Sequence, residues 1–134
     1  MAYTQTYMQV ATVPTGQIID PGIVTTGDTI VSLAPSTVVP ANGAAANDVV
    51  AAFPATGFQS MILLATVPCV VTFSGVSQFD GVAGTPTADD VTLVANVTRR
   101  IAAITGACTA ISIGANTTGA GAAGTIQISV LYNA

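Results

Sequence analysis

The last eight residues before the C-terminal tail set the strongest constraint on this chain. From Thr125 to Tyr132, Ile126, Ile128, Val130 and Tyr132 alternate with Thr125, Gln127 and Ser129. A period of two places one apolar row on one side of an extended strand and a polar row on the other. Such a strand belongs to an antiparallel sheet with one face on a core and one face in water. The same alternation recurs upstream. Cys69, Val71 and Phe73 oppose Val70, Thr72 and Ser74. Val91, Leu93, Ala95 and Val97 oppose Thr92, Val94 and Asn96, and Thr109, Ile111 and Ile113 share one side of another segment. The stretch 59–66 is apolar nearly throughout and reads as a central strand buried on both faces.

Gly, Pro, Asn and Asp punctuate these runs, while Thr and Val are abundant and Glu and Lys are absent. Residues 16–20 form a strand closed by a turn at Asp20-Pro21-Gly22, and 28–33 form the next. Pro35 and Pro40 bracket an edge strand or connector at 36–39. The only helix candidate is 41–53, ANGAAANDVVAAF, with Asn47 or Asp48 as a cap for one turn. Residues 76–90 read as a long polar loop, and 114–124, GANTTGAGAAG, as a flexible Gly-rich hairpin tip. The pattern predicts an all-β chain, an antiparallel β-sandwich of jelly-roll or immunoglobulin-like type, with at most one short helix. Residues 1–14 form an extended N-terminal arm or edge strand, and 15–134 a single β-sandwich domain.

Charge narrows the function. Only 6% of the 134 residues are charged, against about 25% in an ordinary soluble domain. Six Asp and two Arg make up the whole set. The surface is therefore Thr, Ser, Gln, Asn, Gly and Ala, which is easily desolvated and suits burial against partner subunits. Two adjacent arginines do not make a phosphate-binding patch, so no nucleic acid is expected. The densest apolar run, MILLATVPCVV at 61–71, falls short of the roughly 20 residues of a membrane helix and contains Pro68. No membrane association is expected. The start, MAYTQTYMQV, lacks a basic region followed by an apolar one, so no secretory signal is expected. Cys69 and Cys108 are small buried residues or, if their strands adjoin, one disulfide.

Without His, Lys or Glu the chain lacks the common general bases and the Schiff-base amine, and two Cys cannot complete a zinc site. No catalytic residue, cofactor or enzyme activity is expected. A carboxylate set at Asp80, Asp89 and Asp90 is the weak calcium candidate, although Asp89 and Asp90 would diverge if extended and a solvated loop accounts for them better. Arg99 and Arg100 stand out as the only cations and serve either as partners for carboxylates or as guards of a strand end. Tyr3 and Tyr7 share one face of the first strand and, with the two arginines, are the interface candidates.

The opening MAYTQTYMQV, the shortage of charge and the closing TRRIAAITGACTAISIGANTTGAGAAGTIQISVLYNA resemble the small β-sandwich virion proteins of tailed bacteriophages, above all the capsid decoration or cement type. The closing stretch covers about a quarter of the chain. No site residue is carried over from it. The resemblance implies a virion protein made in the host cytoplasm. It implies a homotrimer or other symmetric oligomer on the outside of the head shell, bound to a major capsid protein and holding it against internal DNA pressure. A jelly-roll shell protein, a tail or fibre module, and a carbohydrate-binding module are the alternatives. The last is disfavoured by the absence of Trp for sugar stacking.

Overall fold

Thirteen strands order the chain in the computed structural model, which describes residues 2–13, 16–79, 82–83 and 88–134. They are β1 (Tyr3–Val13), β2 (Gly16–Gly27), β3 (Thr29–Val39) and β4 (Asn47–Val49). There follow β5 (Phe58–Ala65), β6 (Cys69–Ser74), β7 (Gln78–Phe79), β8 (Val82–Ala83) and β9 (Ala88–Leu93). The last four are β10 (Arg99–Ile101), β11 (Ile104–Thr105), β12 (Ala110–Ile113) and β13 (Gly124–Tyr132). Two four-stranded sheets, ordered β10-β5-β13-β3 and β4-β12-β6-β9, pack face to face with every pairing antiparallel. β1 and β2 form a separate hairpin, and β11-β7-β8 a small third sheet at one end.

The alternation places the core as expected. Met61, Leu63, Ala65, Ile126, Ile128, Val130 and Ile101 face inward from one sheet. Cys69, Val71, Phe73, Val91, Leu93, Ile111 and Ile113 face them from the other. A run of phenylalanines crosses this interior. Phe73 meets Phe53 edge-on at 6.5 Å and Phe79 at 5.2 Å, and Phe58 tilts against Phe53 at 6.1 Å. Perpendicular rings set the positive edge of one against the negative face of the next, which adds to their burial.

Several expectations need correction. The stretch 41–53 holds no helix. It makes a turn and then β4, because Asn47–Val49 pairs with β12 and Phe53 bridges Cys108. Thr29–Val39 form one strand through Pro35, tolerated because β3 is an outer strand. The Asp20-Pro21-Gly22 segment ends no strand. β2 continues through it by a bulge, with Tyr7 opposite Ile23 and Gln9 opposite Asp20. Gly22 sits at φ 89°, and a side chain there would collide with the Tyr7 carbonyl. The expected loop 76–90 carries β7, β8 and the start of β9.

The Gly-rich segment is not a hairpin tip. β12 and β13 lie in different sheets, so residues 114–123 carry the chain across the sandwich. Buried Asn116 pins the crossing. Its Nδ2 donates to the Ala122 carbonyl at 2.9 Å, and its Oδ1 accepts from Thr118 N at 2.9 Å. Its backbone N donates to the Pro40 carbonyl at 2.8 Å.

Cys69 and Cys108 are free and buried. Cys69 opens β6, whereas Cys108 lies beside its far end, where Thr109 N donates to the Ser74 carbonyl at 2.9 Å. Five residues of strand, about 17 Å, separate the two levels and prevent a bond. Burial pushes the Cys69 thiol up, and pushes Cys108 up from 9.0 to about 11. Keeping Cys108 neutral stabilises the fold fully below the unfolded value of 9.0, and that contribution is lost as pH rises through about 11.

Two outcomes are expected. Phe73→Ala should cost about 3–5 kcal/mol in a denaturant titration, since the ring loses both transfer energy and its aromatic neighbours. Iodoacetamide at neutral pH should label neither cysteine in the native protein and both in denaturant. Native labelling of Cys108 would contradict its burial.

Candidate functional site

The hairpin is joined to the sandwich by a small buried polar cluster. Gln5 Nε2 donates to the Ser129 carbonyl and to Ser129 Oγ, both at 2.9 Å. Ser60 Oγ donates to Gln5 Oε1 and shares a 2.8 Å hydrogen bond with Thr25 Oγ1. Gln5 and Ser60 are buried and no side-chain polar atom among the described buried residues lacks a partner. Beside them Gly27 lies so close to Leu131 that a Cβ would approach its Cγ to 2.9 Å. The outer face of β13 was expected to be wet along its length. Instead, the hairpin covers the Ser129–Leu131 end and Leu131 is fully buried. At the root, Asp28 clasps the C-terminus: its Oδ1 accepts from Ala134 N at 2.7 Å and from Thr29 Oγ1 at 2.9 Å. The bond from Ala134, then that from Thr29, holds this carboxyl below its ordinary 3.8.

Held this way, the hairpin presents Tyr3, Met8, Ile23 and Val24 to solvent, with Met8 58% and Val24 61% exposed. Tyr7, on the sheet-facing side, reaches a depression of about 300 Å³ lined by Thr92, Val94, Val97, Thr98, Arg99 and Arg100 as well. This depression forms where the chain leaves one sheet for the other. β9 ends at Leu93, and Val97 N donates to the Val94 carbonyl at 3.2 Å across a turn with Asn96 at φ 59°. Asn accepts that left-handed conformation more readily than other side chains. The turn keeps Val94 and Val97 exposed on its two legs, contrary to a strand running to residue 97.

β10 then pairs with β5, Arg99 opposite Leu63 and Arg100 opposite Ile62. Arg99 reaches back to the other sheet and donates 3.4 Å to the Thr92 carbonyl. A second, smaller depression shares Thr98 and opens over Ile62, Leu64, Gln127 and Ser129. The β5 strand, expected to be buried on both sides, is thus half-open on its outer one.

Three of the four interface candidates, Tyr7, Arg99 and Arg100, converge on one depression, and Tyr3 stands exposed on the hairpin root. Sequence reasoning missed Val94 and Val97, which alternation assigns to strand faces, and Ile62 and Leu64, which the apolar run 59–66 assigns to a strand buried on both faces. The Asn96 signal for a turn was present but was read as part of a strand.

Of the three calcium candidates, two are described. Asp80 lies outside the described residues. Asp89 and Asp90 occupy successive positions of β9 and diverge. Asp89 Oδ1 accepts from Asp90 N at 2.9 Å, and Asp90 Oδ1 accepts from Thr72 Oγ1 at 2.6 Å. Among the described residues no three His, Cys, Asp or Glu side chains gather to hold a metal. Asp90 belongs to a different arrangement. Asp48, Ser112, Thr72 and Asp90 stand at one register level across all four strands of the outer face of β4-β12-β6-β9. Ser112 Oγ donates to Asp48 Oδ1 at 2.5 Å, so each terminal carboxylate is steadied by its neighbouring hydroxyl.

No described helix is long and apolar enough to cross a membrane. No family model, curated protein or solved structure matches the chain.

Gln5→Ala should release the hairpin root. Buried Ser60 and half-buried Ser129 would lose their bonds to Gln5, costing about 1–3 kcal/mol. Amide exchange should then accelerate in β1 and β2 ahead of β5 and β13.

Proposed function

We propose that this chain is a non-catalytic virion structural protein of the decoration or cement type. In this role it binds the outside of a head shell and stabilises it through contacts between subunits. The observation that carries the reading is the firmly rooted hairpin bearing exposed Tyr3, Met8, Ile23 and Val24. A monomer rarely spends rigid structure on holding apolar side chains in water. Burying one such side chain fully contributes about 1.5–3 kcal/mol, and here few charges oppose it. The 6% of charged residues supports the same conclusion, because repeated contacts between copies then desolvate little ionic surface.

The partners in this reading are further copies of the chain, as a trimer, and a major capsid protein. A sugar-binding role fits less well. Phe53, Phe73 and Phe79 are buried and Phe58 packs against the core, which leaves no aromatic platform among the phenylalanines.

Light scattering should give the mass of an oligomer, a trimer by this reading, and the protein should co-sediment with virus-like shells. Met8→Asp with Val24→Asp should reduce shell binding about tenfold or more while preserving the melting transition. A monomer that ignores shells would overturn the proposal. An oligomer that ignores shells would point to a tail or fibre module.

A further inference from the structure

We infer that copies of this chain join head-to-tail: Asp48 and Val50 of one copy enter the depression lined by Arg99, Arg100, Val94 and Val97 of the next. This inference rests on the assembly reading above and names the contact within it.

The two surfaces lie at opposite margins of one sheet. β4 is the outermost strand on one side of β4-β12-β6-β9, and β9, which contributes Thr92 and leads into Val94, is outermost on the other. Three strand spacings, about 14 Å, separate them, beyond the reach of an arginine toward Asp48 of its own chain. On the β4 margin Asp48 is exposed, with one oxygen held by Ser112 at 2.5 Å. Val50 follows two residues later, on the same side of the extended chain, and is 104% exposed. Asn47 Nδ2 donates 2.9 Å to the Val38 carbonyl, fixing the start of this segment, and Val38 is itself exposed. A carboxylate and a fully projecting valine therefore stand side by side on an anchored edge.

The opposite margin supplies their complements. Arg99 donates a long bond to the Thr92 carbonyl, and Arg100 lines the same depression. Val94 and Val97, 63% and 54% exposed, flank them. A guanidinium pairs with a carboxylate through two parallel hydrogen bonds, and the valines offer an apolar seat for Val50.

Charge selects the occupant. Every ionic side chain besides the two arginines is an aspartate, so another copy offers this depression carboxylates alone. Among the described aspartates, Asp20 lies within β2 of the hairpin, Asp28 is engaged with Ala134 and Thr29, and Asp89 and Asp90 lie on β9, at the margin of the depression itself. Asp48 is the one on the far margin. With the two patches on opposite margins, each margin engages a different neighbour. The contact is heterologous and closes into a ring, such as a trimer, or continues as a filament.

The test uses the full chain and three charge variants, with circular dichroism confirming each fold. Asp48→Arg alone, and R99D with R100D, should each weaken self-association about thirtyfold or more by sedimentation equilibrium. Combining D48R with R99D and R100D in one chain reverses both partners and should restore the wild-type mass. V50D should weaken association without touching either charged group. An oligomer indifferent to these changes, or a triple variant that stays dissociated, would overturn this contact and leave the assembly reading standing. A wild-type chain that is monomeric at all concentrations would overturn both.

Discussion

The pairing of β13 on both its edges is the interaction on which the rest of this structure depends. β3 bonds to one side of it and β5 to the other. Its inward row, Ile126, Ile128 and Val130, forms the centre of one wall of the core. Its outward row holds Ser129 and Leu131, where the hairpin docks. Its end is clasped through Asn133 and Ala134 to Asp28, at the junction of hairpin and sandwich. One strand thus joins sheet pairing, core packing and the placement of the hairpin's exposed apolar side chains. All of these contacts are far apart in sequence, so the ordering of β13 brings the first and last portions of the chain together at once.

The chain handles polarity economically. Gln5, Ser60 and Asn116 are its buried polar side chains among the described residues, and each is bonded. A buried amide left unpaired is costly, whereas a satisfied one fixes geometry that apolar packing alone leaves loose. Gln5 sets the register of the hairpin on the sheet, and Asn116 sets the path of the Gly-rich crossing. Several charges stand at margins and ends. The arginines stand where the chain passes between sheets, and Asp48 and Asp90 close the two ends of a hydroxyl row. The broad faces are left nearly neutral, the condition under which subunit contacts form with little desolvation cost.

Much of the fold was legible because period-two alternation reports directly on which side chains face a core. The inward rows of β6, β12 and β13 were each read correctly, as was the divergence of Asp89 from Asp90. The local reading failed at several places, three of them for clear reasons. Asn96 ends β9 through a left-handed turn, and a turn residue within an apparently alternating run breaks the count. Residues 41–53 are rich in Ala, which favours a helix locally, yet the backbone of Asn47–Val49 completes an edge of β12. The Gly-rich segment was taken for a hairpin because its flanking strands are neighbours in sequence, while sheet membership depends on long-range partners. Of the candidate site, the types of residue were legible and their grouping was not. Tyr7 and Arg99 are separated by most of the chain, and only the docking of the hairpin brings them to one depression.

By itself the sequence determined the class of the fold and the chemistry that the surface can offer. Extended segments with apolar rows must stack as sheets, and a chain of six Asp and two Arg can present only sparse charge. Tertiary structure decided which strands adjoin, which face of β13 stays wet, and where the two arginines meet Tyr7 and the exposed valines. The reason is physical. Facing is encoded locally, in the periodicity of side chains along one strand. Adjacency is selected globally, by whichever set of pairings buries the apolar rows while leaving every enclosed polar group with a partner.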